Sequence, residues 1–179
     1  MLSLNDIKKY AMRYSREGML PSVFAAQSIL ETNVLNGGSE LARDYNNYFG
    51  IQKGSTWNGD TVLLKTKEEY NGIPVYENKE FRVYNSPEES FQDRVSLLLS
   101  LNRYKDAYSE KTPEAQAYAL QRGGYATDSR YAEKLIKLID EHNLRTLDKT
   151  KQTMKNVQIG VLVLAAIIVV GMVYIIVKG

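Results

Sequence analysis

The sequence predicts an α+β fold in which helices, a β-hairpin and further helices follow in order, with one apolar helix at the C-terminal end. Three observations predict it. Apolar residues recur at three- and four-residue steps on both sides of the chain's middle. The stretch from 61 to 84 is rich in β-branched and aromatic residues and is broken by Asn71, Gly72 and Pro74. Ile159 to Val177 contains no charged residue.

The elements follow in order. Asn5 to Arg16 carry Ile7, Tyr10, Ala11 and Tyr14 at helical spacing, and Gly18 sits where a terminating glycine is expected. Pro21 suits a first helical position, and Val23, Ala26, Leu30 and Val34 extend a second helix to about Asn33, before Gly37 and Gly38. Ser39 caps a short helix through Asp44, and Asn46 and Asn47 mark a turn. Thr61–Lys65 and Val75–Tyr84 form an antiparallel hairpin, a small β lobe. Ser86-Pro87-Glu88-Glu89 reads as a capping box ahead of Phe91, Val95, Leu98 and Leu99. Thr112-Pro113 opens the next helix and Gly123-Gly124 closes it. Asp128 is expected to cap a last amphipathic helix with Tyr131, Leu135, Leu138 and Ile139 inward.

A length of 179 residues suits one domain with an appendage. A net charge of +2, from 23 basic and 21 acidic side chains, gives no broad footprint for nucleic acid, which is not an expected partner. The absence of cysteine excludes a disulfide framework and thiolate metal sites. The single histidine, His142, rules out a His-rich metal cluster and reads as an ordinary surface residue near a helix end. No metal or cofactor is expected. Thirteen tyrosines against four phenylalanines and one tryptophan suit a sugar ligand, although most are expected to half-bury at the core's edge.

The uncharged run would extend about 28 Å as a helix, close to the hydrocarbon thickness of a bilayer. Its many β-branched residues are costly on a soluble helix surface and cheap in lipid, and Tyr174 and Lys178 suit the far interface. The expected division is a domain at 1–146, a basic linker at 147–156 and a transmembrane helix at 157–178 in contact with the lipid bilayer. Arg145, Lys149, Lys151 and Lys155 precede the run and only Lys178 follows it, so the positive-inside rule places the large domain on the cytoplasmic side at synthesis. No N-terminal run reads as an export signal, in agreement with that topology.

Glu31 is the most telling carboxylate. It ends the most apolar helix and shares a side with Phe24, Gln27 and Ser28, while Val23, Ala26 and Leu30 face the other way. A helix C-terminus and an aromatic wall both disfavour the ionised form, as a general acid near neutral pH requires. An exposed glutamate of no special role fits the same spacing.

The stretch AAQSILETNVLNGGSELARDYNNYFGI resembles the signature of glycoside hydrolase family 73, the N-acetylglucosaminidases of bacterial autolysins, flagellar wall-boring domains and phage lysins. Thr66, Glu69, Tyr70, Asn71 and Gly72 match the family's lobe motif. Phe81-Arg82-Val83-Tyr84 with Ser86 and Ser90, and Gly124 to Asp128 with Tyr131-Ala132, match its later blocks, so the likeness covers roughly residues 5 to 145. The family's serine-glycine-tryptophan-glycine after the acid is replaced by Thr32-Asn33-Val34-Leu35, and Trp57 or a tyrosine would supply the missing stacking surface.

The resemblance implies a lysozyme-like, mainly helical domain acting on peptidoglycan glycan strands, with Glu31 as general acid. Two routes stay open for the second step. Glu69, or its neighbour Glu68, acts as base on water, or the substrate's 2-acetamido group attacks while Tyr125 orients it. The substrate-binding candidates are Asn47, Tyr48, Phe49, Trp57, Tyr70, Phe81, Tyr84 and Asp128; for the aromatics, a role in the lobe's own small core is the competing reading. A lytic transglycosylase or muramidase, a non-catalytic wall-binding module, and a virion-membrane protein with virion partners are the alternatives. An inward-facing wall hydrolase suggests a phage or prophage origin, with an exported autolysin as the alternative.

Overall fold

The computed structural model describes residues 1–16, 18–70 and 73–178; the side chains of 67–70, 73–74 and 168–178 lie outside that description. Helix α1 (Leu4–Tyr14) starts at a reciprocal capping box between Ser3 and Asp6, which satisfies two amides that a helix start leaves orphaned. Gly18 follows in the left-handed region at φ +82°, and a Cβ there would stand 2.3 Å from the Tyr108 carbonyl oxygen. Backbone conformation and close approach both require glycine at this position.

Helix α2 (Pro21–Thr32) is the centre of the molecule. Every residue from Pro21 to Ile29 is buried, Ser22, Gln27 and Ser28 included. The two-sided helix expected from its sequence is therefore a helix buried all round, with α1 and α6 packed against it. Gln27 Nε2 donates to the Tyr131 hydroxyl at 2.9 Å, which makes its burial tolerable. Asn33, at φ 48°, ends the helix in the left-handed conformation.

Ser39 caps α3 (Glu40–Tyr45) by accepting from Ala42 N. Strands β1 (Thr61–Tyr70) and β2 (Ile73–Arg82) form an antiparallel pair in which Thr61 faces Arg82 and Tyr70 faces Ile73. The hairpin is longer than the sequence signal because alternation continues through charged residues. Its base is anchored: Ile51–Lys53 pairs with the end of β2 through Arg82 N to Ile51 O (3.0 Å) and Lys53 N to Glu80 O (2.9 Å).

Helix α4 (Pro87–Ser100) is capped by Ser86, but Glu89 turns to the amide of Asn85 (2.9 Å), so the expected box is only half formed. A 3₁₀ segment, Asn102–Tyr108, leads to α5 (Pro113–Arg122), capped by Thr112 as expected. Helix α6 (Tyr131–Glu141) carries Tyr131, Leu135 and Ile139 into the core, each worth about 1.5–3 kcal/mol of burial. Asp128 does not cap it through α6's own amides. Its Oδ1 accepts from Arg130 N, one residue short of the helix. His142 ends α6, and its carbonyl receives Lys8 Nζ.

Helix α7 runs unbroken from Arg145 to Lys178, so the basic linker is helical and continuous with the apolar run. Among the described residues no helix is long and apolar enough to cross a membrane; the uncharged run extends past 167 into side chains that are not described.

Candidate active site

A cavity of about 730 Å³ lies between the end of α2, the base of the hairpin and the 3₁₀ segment. Glu31, half-buried, stands in its wall. Gly50 lies opposite at φ +59°, and a Cβ there would come within 3.6 Å of Glu31 Oε2. That spacing is an ordinary contact, and it is the left-handed backbone that favours glycine here. Phe49, Phe81, Tyr104 and Tyr125 supply aromatic surface, while Gln52, Thr66, Lys79 and Arg103 supply polar groups. Apolar walls with a few polar groups are the usual make-up of a site for a compact organic ligand, sugars included.

Tyr125 is brought to Glu31 as expected. Its ring stacks on Tyr131 with centroids 5.4 Å apart, and Tyr104 flanks it at 6.1 Å. Burial pushes its phenol well above the ordinary tyrosine range, the Glu31 charge pushes the same way, and Arg94 opposes both. The phenol therefore stays protonated and able to donate. Arg94 escaped the sequence reading. Only 3% exposed, it lies beneath the cavity with its guanidinium 4.3 Å from the Phe24 ring centroid and 5.3 Å from that of Phe49, close enough to Tyr125 for its charge to act on the phenol. No local pattern distinguishes it from a surface arginine.

Phe49 and Phe81 line the cavity as expected; Asn47, Tyr48, Trp57, Tyr84 and Asp128 do not. Asn47, 1% exposed, is a clasp. Its Nδ2 donates to the carbonyls of Ile51 and Arg82, both at 2.9 Å, and its Oδ1 accepts from Ile51 N at 3.0 Å. Tyr48 is fully buried, with its hydroxyl accepting from Leu2 N. Tyr84 donates to Asp93 at 2.6 Å, and burial together with that carboxylate drives its phenol far up. Trp57 sits edge-on to Tyr84 at 5.5 Å, beneath the Arg82 guanidinium at 4.8 Å. Tyr48 belongs to the main core beside Phe91, while buried Tyr84 and half-buried Trp57 pack on each other at the base of the hairpin. Asp128 pairs with Lys134, which holds its carboxyl below the usual range, and its neighbour Thr127 is the residue that reaches the cavity.

The side chains of Glu68, Glu69 and Tyr70 lie outside the described residues, so the structure does not test their roles. The backbone register is described. Thr66 and Lys79, which line the cavity, belong to the pairs Thr66–Glu77 and Leu64–Lys79; Glu68–Val75 falls in the same alternation and Glu69–Pro74 in the other. Asn71 and Gly72 also lie outside the described residues. No cluster of His, Cys, Asp or Glu among the described residues could hold a metal.

A buried central helix ending in a carboxyl, with a helical body on one side of the cleft and a two-stranded lobe on the other, defines a lysozyme-like domain. More specifically, the chain belongs to the glucosaminidase family, described as mannosyl-glycoprotein endo-beta-N-acetylglucosaminidase, whose sequence profile matches residues 7–144. It is 41% identical over 138 residues to a probable N-acetylmuramidase of Lactococcus lactis subsp. lactis, covering 73% of this chain and 30% of that protein. It is 38% identical over 147 residues to the peptidoglycan hydrolase FlgJ of Vibrio cholerae, covering 79% of this chain and 44% of the other. The chain thus spans less than half the length of either. Among solved structures it is similar to the catalytic domain of the autolysin Auto from Listeria monocytogenes, with a TM-score of 0.66, 37% identity, and coverage of 81% of this chain and 85% of that one.

Proposed function

We propose that this chain is a peptidoglycan hydrolase that cleaves the β-1,4 bond between N-acetylglucosamine and N-acetylmuramic acid, with Glu31 as general acid. The observation that carries the reading is the placement of the Glu31 carboxyl in the wall of an aromatic-lined cavity beside Tyr125, in a chain of the glucosaminidase family. A protonated Glu31 would give its proton to the departing glycosidic oxygen. The positive charge developing at the sugar carbon then meets either water activated by a lobe carboxylate, Glu69 or Glu68, or the substrate's own acetamido oxygen oriented by Tyr125. With water as nucleophile, the two carboxyl groups would stand roughly 6.5–9.5 Å apart and the product would be inverted.

The names of similar proteins divide between muramidase and glucosaminidase, so the bond cleaved is the point to test. Purified peptidoglycan digested by the full chain should yield N-acetylglucosamine reducing ends; reducing muramic acid would move the enzyme to the muramidases, and anhydromuramic acid to the transglycosylases.

The proposal includes a membrane anchor at 157–178, supported by the uncharged run and by the helical continuity of α7. The four cations before that run against Lys178 after it support an inward domain, and thus a phage or prophage setting in which wall contact follows membrane opening or virion entry. Protection of the domain from protease added to intact cells is the expected result; cleavage from outside would overturn the inward orientation.

A further inference from the structure

Arg82 closes strand β2 and is 5% exposed, yet it lines the cavity that holds Glu31. Its guanidinium is held in one orientation. Nε donates to the carbonyls of Gln52 (3.1 Å) and Lys53 (3.2 Å), Nη1 donates to Asp93 Oδ2 (2.7 Å), and the Cζ carbon lies over the Trp57 ring, 4.8 Å from its centroid. Asp93 is fixed in turn by the Tyr84 hydroxyl at 2.6 Å. A guanidinium whose charge is balanced and whose plane is stacked and bonded has little left to order when it meets a ligand.

One nitrogen of this fixed group is unused. Nη2 has no hydrogen-bond partner among the described residues and, unlike Arg94 Nε, it is not sealed inside. It stands beside Gly54, where a Cβ would be 3.4 Å away, and Gly54 lines the same cavity. The donor therefore faces the cleft. Gly54 follows Gly50, the neighbour of the Glu31 carboxyl, by four residues, which is at most about 14 Å of chain. A glycan segment lying along the cleft from the acid would pass it.

The surroundings of Nη2 select its acceptor. Asp93 already balances the Arg82 charge, so a ligand carboxylate on Nη2 would face the Asp93 carboxylate across one shared guanidinium, and an ammonium would be repelled by the guanidinium itself. A neutral acceptor is favoured. In a peptidoglycan strand the strong neutral acceptor that both sugars carry is the acetamido carbonyl. We propose that Arg82 is a specificity-determining residue, its Nη2, held in place by Asp93 and Trp57, donating to the acetamido carbonyl oxygen of a sugar seated beside Gly54. The inference rests on the hydrolase reading above for its substrate class. A sugar without its acetyl group presents an ammonium there, leaves Nη2 unpaired and is rejected, the asymmetry of a site built around a hydrogen bond.

Trp57 is the chain's only tryptophan, so its emission reports on the Arg82 guanidinium above it. The test titrates the full chain, carrying Glu31→Gln to stop turnover, with the β-1,4 tetramer of N-acetylglucosamine and with its fully deacetylated counterpart. Trp57 emission and the heat of binding are followed together. The acetylated tetramer should bind at least about 10-fold tighter and change the emission, while the deacetylated one leaves it unchanged. Arg82→Lys keeps a cation for Asp93 but removes Nη2, so it should weaken the acetylated tetramer by about 10-fold or more and leave the deacetylated one within about twofold. Equal affinity for the two tetramers, or undiminished affinity in Arg82→Lys, would overturn the proposal. Should Arg82→Lys lose the parent's thermal midpoint, the emission decides alone, and a response to both tetramers or to neither overturns it. Digestion of peptidoglycan by the parent chain is read separately. A chain that digests it without an acetyl-dependent emission change loses the Arg82 site alone; one that binds the acetylated tetramer through Arg82 but releases no sugar ends keeps the site and loses the hydrolase.

Discussion

Replacing Asn47 with alanine separates a structural clasp from a substrate contact. The side chain makes three buried hydrogen bonds of good length, two to the carbonyls of Ile51 and Arg82 and one from the Ile51 amide. Ile51 O keeps a second donor in Arg82 N, so the groups left worst off are the Ile51 amide and the Arg82 carbonyl. At about 1 kcal/mol per bond, with more for a buried group left orphaned, the loss comes to about 3 kcal/mol. For a domain of this size that lowers the thermal midpoint by about 6–12 °C. Thermal unfolding of the full chain followed by circular dichroism reads it, beside steady-state kinetics on soluble glycan at a temperature where both proteins are folded. A midpoint within about 2 °C of the parent together with a raised KM would refute the clasp and return Asn47 to the substrate.

Three further outcomes are expected. Of Glu68→Gln and Glu69→Gln, one should lower kcat by about 100-fold or more and the other by less than about threefold, and equal small effects from both would favour the acetamido route. Tyr125→Phe keeps the ring stacked on Tyr131 but removes the hydroxyl, so kcat should fall by about 100-fold with KM nearly unchanged; an unchanged kcat would remove Tyr125 from the chemistry. Burial raises the Asp148 carboxyl above its ordinary value of 3.8, so the stability it contributes is full below that value and is lost as pH rises through the higher folded one. Asp148→Asn should therefore match or exceed the parent's thermal midpoint at pH 7 and lose that advantage on acidification; a variant that gains on acidification would contradict the sign.

What the sequence made legible was local. Pro21, Ser39, Ser86 and Thr112 announce their helices because a cap needs only residues within one turn, and each stands where expected. The hairpin was legible through its turn and its β-branched flanks. Burial was not. Ser22, Gln27 and Ser28 look like a polar face yet lie inside: Gln27 donates to Tyr131 more than a hundred residues away, while the Ser22 and Ser28 hydroxyls have no partner among the described residues.

Of the candidate site, sequence marked Glu31 through helix position and family motif and Tyr125 through the motif alone, and both line the cavity. Its walls were less so, since an aromatic in a cleft and one in a core share the same sequence signal. Tyr48 and Tyr84 are buried and Trp57 is half-buried against Tyr84, while Phe49 and Phe81 reached the cavity. Lys79, Arg94 and Tyr104 entered the site through packing between distant elements, which no local spacing encodes.

The central claim is that Glu31 is the acid of a glucosaminidase. Mass spectrometry of peptidoglycan digested by the full chain and by its Glu31→Gln variant tests it most directly. The account predicts products with N-acetylglucosamine at the reducing end, and their loss by at least about 100-fold in a variant that keeps the parent's thermal midpoint. Undiminished product from Glu31→Gln, or muramic acid at the reducing end from the parent chain, would contradict it.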